Sequence, residues 1–317
     1  MSYPQPLDFK GLETYSLYER ESKVSVSDFA KPAAAGFSFS AFMDSLPDQL
    51  AASDLKKVAG AVCDAVNGNK RVLLCMGAHV IKTGLNPVLA GLMEAGVISG
   101  IAVNGACIIH DSETAMAGKT SEDVAAVLGQ GRFGAARETG EFLNSAIKKA
   151  AETGRGLGRQ VGEELLAAGF PYNEYSLLAT AARLGIPVTV HVAVGTDIIH
   201  IHPGADGAAI GKATFDDFRI FCSLVSGLEE GVLLHVGSAV LLPEVFLKAL
   251  TLVRNLGFPV KKFVTANFDF IRQYRPLTNV VSRPTLEGGT GYNITGHHEI
   301  MIPLLAFAIM EGLEGRA

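Results

Sequence analysis

The sequence predicts an α/β protein with a doubly wound, mostly parallel sheet. Two observations indicate this class: short, continuously apolar runs alternate with segments of helical periodicity, and most of these runs end in glycine or small polar residues. Strands that are apolar at every position are typical of parallel sheets with helices on both faces. The chain has 317 residues, of which 48% are hydrophobic and 19% charged, which is sufficient for a large buried core.

The elements follow from this periodicity in chain order. Residues 46–66 predict the first helix, because Leu55, Val58 and Val62 recur at helical spacing and Asn67-Gly68-Asn69 ends the pattern. The remaining segments alternate, and we predict them in this order: strand 71–76, helix 87–95, strand 97–103, helix 175–183, strand 186–194, helix 216–228, strand 232–236, helix 243–256 and strand 262–266.

Composition along the chain predicts its domain organisation. Residues 1–45 contain three prolines without sustained periodicity and are expected to form an N-terminal arm or extension. Residues 46–317 are expected to form a single α/β domain of the nucleotide-binding type. A polar, helix-rich segment near 118–169, interrupted by glycines, predicts a helical insertion or a flexible flap within that domain.

Charge and hydropathy exclude several classes of function. The net charge is -5, and lysine and arginine occur singly or in pairs rather than in a stripe, so a nucleic-acid partner is not expected. No apolar run approaches the roughly 20 residues of a membrane span, and the first residues lack the pattern of a secretory signal. We therefore expect a cytoplasmic protein without a membrane partner, acting on a small molecule.

Small and polar residues follow the predicted strands. Since ligands of parallel sheets bind beyond the carboxyl ends of the strands, these turns predict a binding crevice. They are Gly77-Ala78-His79, Asn104-Gly105, His110-Asp111, Gly195-Thr196-Asp197, Gly237-Ser238-Ala239 and Ala266-Asn267-Phe268-Asp269. Gly288-Gly289-Thr290-Gly291 is a further glycine cluster, for which a ligand loop and a plain flexible loop are both open.

Histidines supply the acid-base candidates. His202 and His298 are predicted as catalytic groups together with Asp197, because imidazole titrates near neutral pH. Their spacing matches no strong metal-binding pattern, so no metal ligand is assigned. An alternative function nevertheless remains open, a metal-dependent hydrolase or isomerase that uses His200, His202, His297 and His298.

Several motifs resemble those of one known family. The central ones are Gly162-Glu163-Glu164-Leu165, the Ala-Arg-Leu-Gly-Ile-Pro-Val run at 182–188, and Thr196-Asp197. Val264-Thr265-Ala266 and Pro303-Leu304-Leu305 follow in the same order. From about residue 71 to 311 the chain thus resembles deoxyhypusine synthase, a family with a Rossmann-like fold that binds NAD and transfers an aminobutyl group from spermidine to a protein lysine.

The resemblance implies NAD as cofactor and a homo-oligomer, with a tetramer as the implied assembly. It also implies cofactor contacts at the matching positions, which are Gly77, Ala78, Asn104, Gly105, Asp197, Gly237, Ser238, Thr265 and Ala266. Where the family reads Gly-Gly-Gly-Val-Val-Lys-His-His, this chain reads Gly-Ser-Ala-Val-Leu-Leu-Pro-Glu from Gly237, so the expected lysine is absent.

The missing lysine changes the predicted activity, because an aliphatic side chain cannot replace a lysine nucleophile. We predict a divergent member that is not a conventional deoxyhypusine synthase. It would be an NAD-dependent enzyme of the transferase or oxidoreductase type, acting on a small polar or amine-bearing substrate. A non-catalytic ligand-binding protein is the second alternative.

Overall fold

The fold is centred on one six-stranded parallel sheet. The computed structural model describes residues 3–314. The strands lie in the order β3-β2-β1-β4-β5-β6, and every neighbouring pair is parallel. Their bounds are β1 (Val72–Met76), β2 (Gly100–Asn104), β3 (Val188–His191), β4 (Val232–Val236), β5 (Val264–Asp269) and β6 (Thr290–Thr295). The predicted doubly wound α/β class is confirmed.

Helices connect the strands, and within residues 3–314 none is both long and apolar enough to cross a membrane. The α-helices are α1 (Phe39–Ser45), α2 (Leu50–Asn67), α3 (His79–Lys82), α4 (Asn86–Glu94), α5 (Gly105–Ala117), α6 (Val124–Val127), α7 (Arg137–Thr153), α8 (Leu157–Ala168), α9 (Leu177–Leu184), α10 (Gly207–Ser226), α11 (Leu241–Asn255), α12 (Tyr274–Pro276) and α13 (His298–Glu314). Shorter turns include a 3-10 helix at Ile198–Ile201 and a π-helix at Leu277–Ser282.

Both faces of the sheet are covered, as continuous apolar strands require. Because successive side chains of a strand point to opposite faces, β1 contributes to two separate cores. Leu74 and Met76 pack with α2, α4 and α13, whereas Leu73 and Cys75 pack with α10 and α11. Burying one such leucine stabilises the fold by roughly 1.5–3 kcal/mol, so the strands of the sheet are fixed from both sides.

Strands β5 and β6 differ from the sequence prediction. β5 continues to Asp269, three residues beyond the predicted end at Ala266. The glycine cluster at 288–291 leads into β6, an edge strand that the apolar periodicity does not predict. Gly291 is required there, because a Cβ atom at this position would overlap the carbonyl oxygen of Val281. Since Thr290 pairs with Val264 at the start of β5, this cluster lies at the amino edge of the sheet, away from the predicted crevice.

The segment predicted as an insertion contributes to the main core. Leu143 and Ile147 of α7 and Val161 of α8 are fully or almost fully buried in the same cluster as β1. Residues 119–132 are mainly exposed. The helical part of this segment is therefore integral to the domain.

The N-terminal segment has little regular structure before α1. From residue 3 to 38 almost every side chain is exposed, and α1 contacts the body through Phe39, whose ring packs at a tilt against Phe307 with 5.3 Å between ring centres. The division into an arm and one domain stays a prediction.

Three polar side chains form a row across β4, β5 and β6. His235, Asn267 and Asn293 are register partners. The Asn267 Oδ1 atom accepts from His235 Nδ1 at 2.7 Å, and Asn267 Nδ2 donates to Asn293 Oδ1 at 2.7 Å. Burial lowers the pKa of His235 to about 4, so this imidazole is neutral at physiological pH. The row lies one residue before the carboxyl end of β4.

Candidate functional site

The candidate site lies where β1 and β4 end side by side. From β1 the chain continues to one side of the sheet, and from β4 it continues to the other. In open parallel sheets such a switch point is where a ligand crevice is expected. The Gly77 N–H donates to the Val236 carbonyl at 2.9 Å, and the Gly237 N–H donates to the Phe268 carbonyl at 3.1 Å. A Cβ atom on Gly77 would overlap the carbonyl oxygen of Gly237, so only glycine permits this approach of the two backbones.

Asn104, Gly105 and Asp197 meet at the end of the neighbouring strand β2. Asn104 caps α5, with its Oδ1 atom accepting from the Cys107 N–H at 3.2 Å. The carboxylate of Asp197 comes from the loop after β3 and lies directly over Gly105, where any Cβ atom would overlap it. The structure therefore brings these three predicted residues together at the start of a 13-residue helix.

The carboxylate of Asp197 is incompletely satisfied by the protein. Its Oδ2 atom is buried without a hydrogen-bond partner. Burial raises the pKa of Asp197, and the nearby His200 opposes that effect. His200 itself is held through Nδ1, which accepts from the Gly195 N–H at 3.1 Å and the Asp197 N–H at 3.3 Å, and its Nε2 atom is also buried without a partner. The loop thus presents one unpaired acceptor and one unpaired donor.

His298 lies on the other side of Gly237, at the first residue of α13. It is completely buried, and its two ring nitrogens contact His79 Nδ1 at 2.9 Å and the Phe268 carbonyl at 3.2 Å. Gly237 has φ of +62° and would place a Cβ atom 2.5 Å from the His298 ring, so glycine is required there on two grounds. Burial, reinforced by His79, lowers the pKa of His298. No sequence pattern predicts the His79 contact, since the two residues are 219 positions apart.

Ala78 and Ser238 lie in the same turns but are buried. Ala78 precedes α3 and is 8% exposed. The Ser238 hydroxyl accepts from the Leu242 N–H at 3.3 Å, in the first turn of α11. Both residues shape the crevice through their backbone positions.

Thr265 and Ala266, which were predicted as cofactor contacts, lie within β5. Both side chains are completely buried, and the Thr265 hydroxyl donates to the Val280 carbonyl at 2.9 Å. They pair with Leu233 and Leu234 in the middle of the sheet, because β5 continues beyond them. The residues of β5 that reach the crevice edge are Asp269 and the following Phe270.

His110 and Asp111 were predicted to follow a strand, but they lie within α5. Asp111 is completely buried and accepts hydrogen bonds from Asn86 and from the first turn of α9. Asp111 therefore joins helices and does not line the crevice.

His202 lies in a separate cavity. Its ring covers Gly140 of α7, and Nε2 donates to the Gly134 carbonyl at 3.0 Å. A cavity of about 550 Å³ opens beside it and is also lined by Asn144 and Lys148. The two histidines predicted as catalytic thus belong to different environments.

The four-histidine metal set does not assemble. Within residues 3–314, no three His, Cys, Asp or Glu side chains are grouped so that they could hold a metal ion. His200 accepts hydrogen bonds from its own loop, His202 donates to the Gly134 carbonyl before α7, and His298 bonds to His79. His297 stacks on Phe270, with 6.3 Å between ring centres. The metal-dependent alternative therefore lacks its donor set.

Comparison with known proteins identifies the fold. No family model and no curated protein sequence matches the chain. Among solved structures, it is similar to ArgZ, an arginine dihydrolase of the ornithine-ammonia cycle in cyanobacteria, with 16% identity, 82% of this chain and 31% of that chain covered, and a TM-score of 0.50. It is also similar to AgrE in a ternary complex with ornithine and NAD+, with 14% identity, 83% and 33% coverage, and a TM-score of 0.51.

A third structure covers nearly the whole of both chains. It is a candidate deoxyhypusine synthase from Entamoeba histolytica, with 12% identity, 87% of this chain and 94% of that chain covered, and a TM-score of 0.51. The chain spans only about a third of the length of ArgZ and AgrE. The resemblance seen in the sequence is confirmed at the level of the fold: the chain has a Rossmann-like architecture of the deoxyhypusine synthase type.

Proposed function

We propose that the chain binds NAD in the crevice between the ends of β1 and β4 and acts on a small polar or amine-bearing substrate. The observation that carries this proposal is the unpaired, buried Oδ2 atom of Asp197 beside Gly105. A buried acceptor without a donor costs about 1–3 kcal/mol. A ribose hydroxyl or a substrate amine would supply the missing donor.

The backbone around the crevice fits a dinucleotide. Gly77, Gly105 and Gly237 let the Gly237 carbonyl, the Asp197 carboxylate and the His298 ring pack directly on the backbone. The turns are therefore compact, and a pyrophosphate would lie beside them at the carboxyl ends of the strands. The start of α5 faces the Asp197 carboxylate, so the helix dipole favours this acceptor in the position where a ligand donor would meet it. When bound, NAD supplies an acceptor for a hydride.

The fold comparison supports this assignment. AgrE was solved with ornithine and NAD+, which are an amine-bearing amino acid and the proposed cofactor. The substrate and reaction remain part of the proposal. A transferase or oxidoreductase reaction fits the crevice, and a conventional deoxyhypusine synthase reaction does not fit the turn after Gly237, which lacks the expected lysine. His202 remains an acid-base candidate only for a ligand that extends into its own cavity.

We also propose that the protein is a cytoplasmic homo-oligomer, with a tetramer as the assembly to test. Its N-terminal arm carries large apolar side chains that are more than three-quarters exposed, including Tyr3, Leu7 and Phe9. A second copy of the chain would cover them. Light scattering on the full chain measures the assembly, and a monomer at all concentrations would contradict this part.

NAD binding is directly measurable. Titration calorimetry and thermal shift with NAD, NADH and ADP should show binding of the dinucleotides and a higher melting temperature in their presence. Absence of both effects for NAD and NADH would contradict the proposed function. Binding without turnover on any amine or hydroxyl substrate tried would favour the non-catalytic alternative.

Two substitutions should weaken NAD binding because both disturb the carboxylate of Asp197. Asp197→Ala removes the acceptor, and Gly105→Ala displaces it, so each should raise the Kd for NAD about 10- to 100-fold. Glu287→Gln, an exposed change at the amino edge of the sheet, is the matched control and should leave the Kd unchanged. Equal affinities for all four proteins would place the nucleotide elsewhere.

A further inference from the structure

The crevice contains a histidine pair whose hydrogen bonds determine which nitrogen carries each proton. We propose that His79 is the proton-transferring residue of the site and that His298 is the positioning residue that fixes its tautomer. This inference rests on the proposed function for its substrate. The geometry that carries it lies within the chain.

The proton positions follow from the acceptor at one end of the pair. The Phe268 carbonyl can only accept, so His298 Nε2 must carry a hydrogen. A neutral His298 then has an unprotonated Nδ1 atom, which can only accept. The 2.9 Å contact between the two Nδ1 atoms therefore requires that His79 Nδ1 carries the hydrogen. The Nε2 atom of a neutral His79 is left with a free lone pair.

His298 cannot be the group that contacts a substrate. It is completely buried, and both of its nitrogens are used by protein partners. His79 is exposed at the carboxyl edge of β1, two residues after Gly77. The division of roles resembles other catalytic pairs, in which a buried group orients the imidazole that does the chemistry.

Neighbouring rings and charges complete the surroundings of His79. Phe270 packs against His79 and His298, with ring centres 5.4 Å and 5.8 Å apart, and His297 stacks on Phe270. Lys82 lies one helical turn after His79 on α3. Asp269 and Glu299 act electrostatically on His298. The buried His235 also interacts electrostatically with His298.

The proposed step is a simple proton transfer. His79 Nε2 takes the proton of a substrate N–H or O–H group, and the electron pair of the broken bond stays on the substrate atom. The imidazolium that forms keeps its Nδ1–H bond to His298. A reverse step returns the proton, so the pair acts as base and acid in turn.

The tautomers can be measured without any ligand. Long-range ¹H–¹⁵N NMR spectra of the full chain should show His79 protonated at Nδ1 and His298 at Nε2. His298→Leu removes the acceptor, so His79 should revert to the Nε2–H form that neutral imidazole favours in water. His298→Asn retains an acceptor near the Nδ1 position and should restore the Nδ1–H form. A wild-type His79 protonated at Nε2 would overturn the inference, whether or not the variants fold.

Chemical labelling provides a second readout. Diethyl pyrocarbonate attacks unprotonated imidazole nitrogens, so His79 should be modified rapidly and the buried His298 slowly, as mapped by mass spectrometry. His298→Leu should slow the labelling of His79 while leaving the exposed His297 unchanged. Modification of His298 before His79 would contradict the assignment.

Activity separates this inference from the proposed function. Once a substrate is found, His79→Gln should lower kcat about 10²- to 10⁴-fold and leave the Kd for NAD unchanged. NAD binding together with full activity of His79→Gln would refute the role of His79 alone. The predicted tautomers without NAD binding would refute only the cofactor assignment.

Discussion

Replacing Asp111 with alanine is expected to lower the free energy of unfolding by about 3–5 kcal/mol. Each carboxylate oxygen accepts two hydrogen bonds. Oδ1 receives Asn86 Nδ2 at 3.0 Å and the Leu177 N–H at 2.8 Å, and Oδ2 receives the Ser176 hydroxyl at 2.5 Å and the Leu178 N–H at 3.1 Å. The substitution would leave the first backbone N–H groups of α9 buried without an acceptor. Urea unfolding followed by circular dichroism measures the loss.

The amide variant gives a sharper test of this mechanism. In Asp111→Asn an NH2 group would face a donor whichever way the amide is turned, so this isosteric change should destabilise the protein almost as much as alanine. The exposed Glu152→Gln is the control and should have no measurable effect. An asparagine variant as stable as the wild type would show that the four contacts contribute little.

Asp217→Asn, in contrast to Asp111→Asn, should raise the free energy of unfolding at neutral pH. Its Oδ2 atom accepts from the Gly158 N–H at 2.9 Å and the Val190 N–H at 2.7 Å, but its Oδ1 atom is buried without a partner next to Gly156. Burial raises the pKa of Asp217 from 3.8 to about 7. An asparagine keeps the accepting oxygen and removes the buried charge.

The sign of the pH effect follows from the raised pKa. Between about pH 4 and pH 7 the folded state binds a proton at Asp217 that the unfolded chain does not, so stability falls as pH rises through this window. The loss is complete above pH 7 and is on the order of 4 kcal/mol. Asp217→Asn has no such loss. Its stability relative to the wild type should therefore increase from pH 5 to pH 8.

Chemical denaturation of both proteins across this range provides the measurement. Asp111, whose pKa burial raises to about 6, adds a decline of the same sign, but both proteins share it and it cancels in their difference. A stability difference that stays constant from pH 5 to pH 8 would mean that Asp217 is already ionised in the folded protein at low pH.

Most strands of the sheet can be located from the sequence, because parallel strands consist mainly of continuous apolar runs. β1 and β4 were located within one residue, since their neighbours on both sides are polar or glycine. β6 was missed because an edge strand is only half covered, and its Thr-Gly-Tyr-Asn-Ile-Thr composition is too polar for that signal. The end of β5 was misplaced for a related reason: Asn267 is polar but buried, and its partners lie on other strands.

The sequence predicts which turns follow the strands at the candidate site, but not which side chains contact one another there. Glycine at 77, 105 and 237 could be recognised from its position after apolar runs. Tertiary contacts determine the rest. Nothing in the linear sequence indicates that Asp111 serves α9 or that His79 and His298 share a hydrogen bond across 219 positions. Buried pairs of this kind arise from the packing of distant helices.

The row of polar side chains formed by His235, Asn267 and Asn293 also determines how the turns after β4 and β5 are positioned. An apolar strand can shift against its neighbour and still bury its side chains. A shift by one residue here would separate the three polar partners and leave His235 and Asn267 buried without these hydrogen bonds. The row therefore fixes the register of β4 against β5. The turns that bear Gly237 and Phe270 therefore keep a constant position relative to each other. The distance between them is the same before and after a ligand binds.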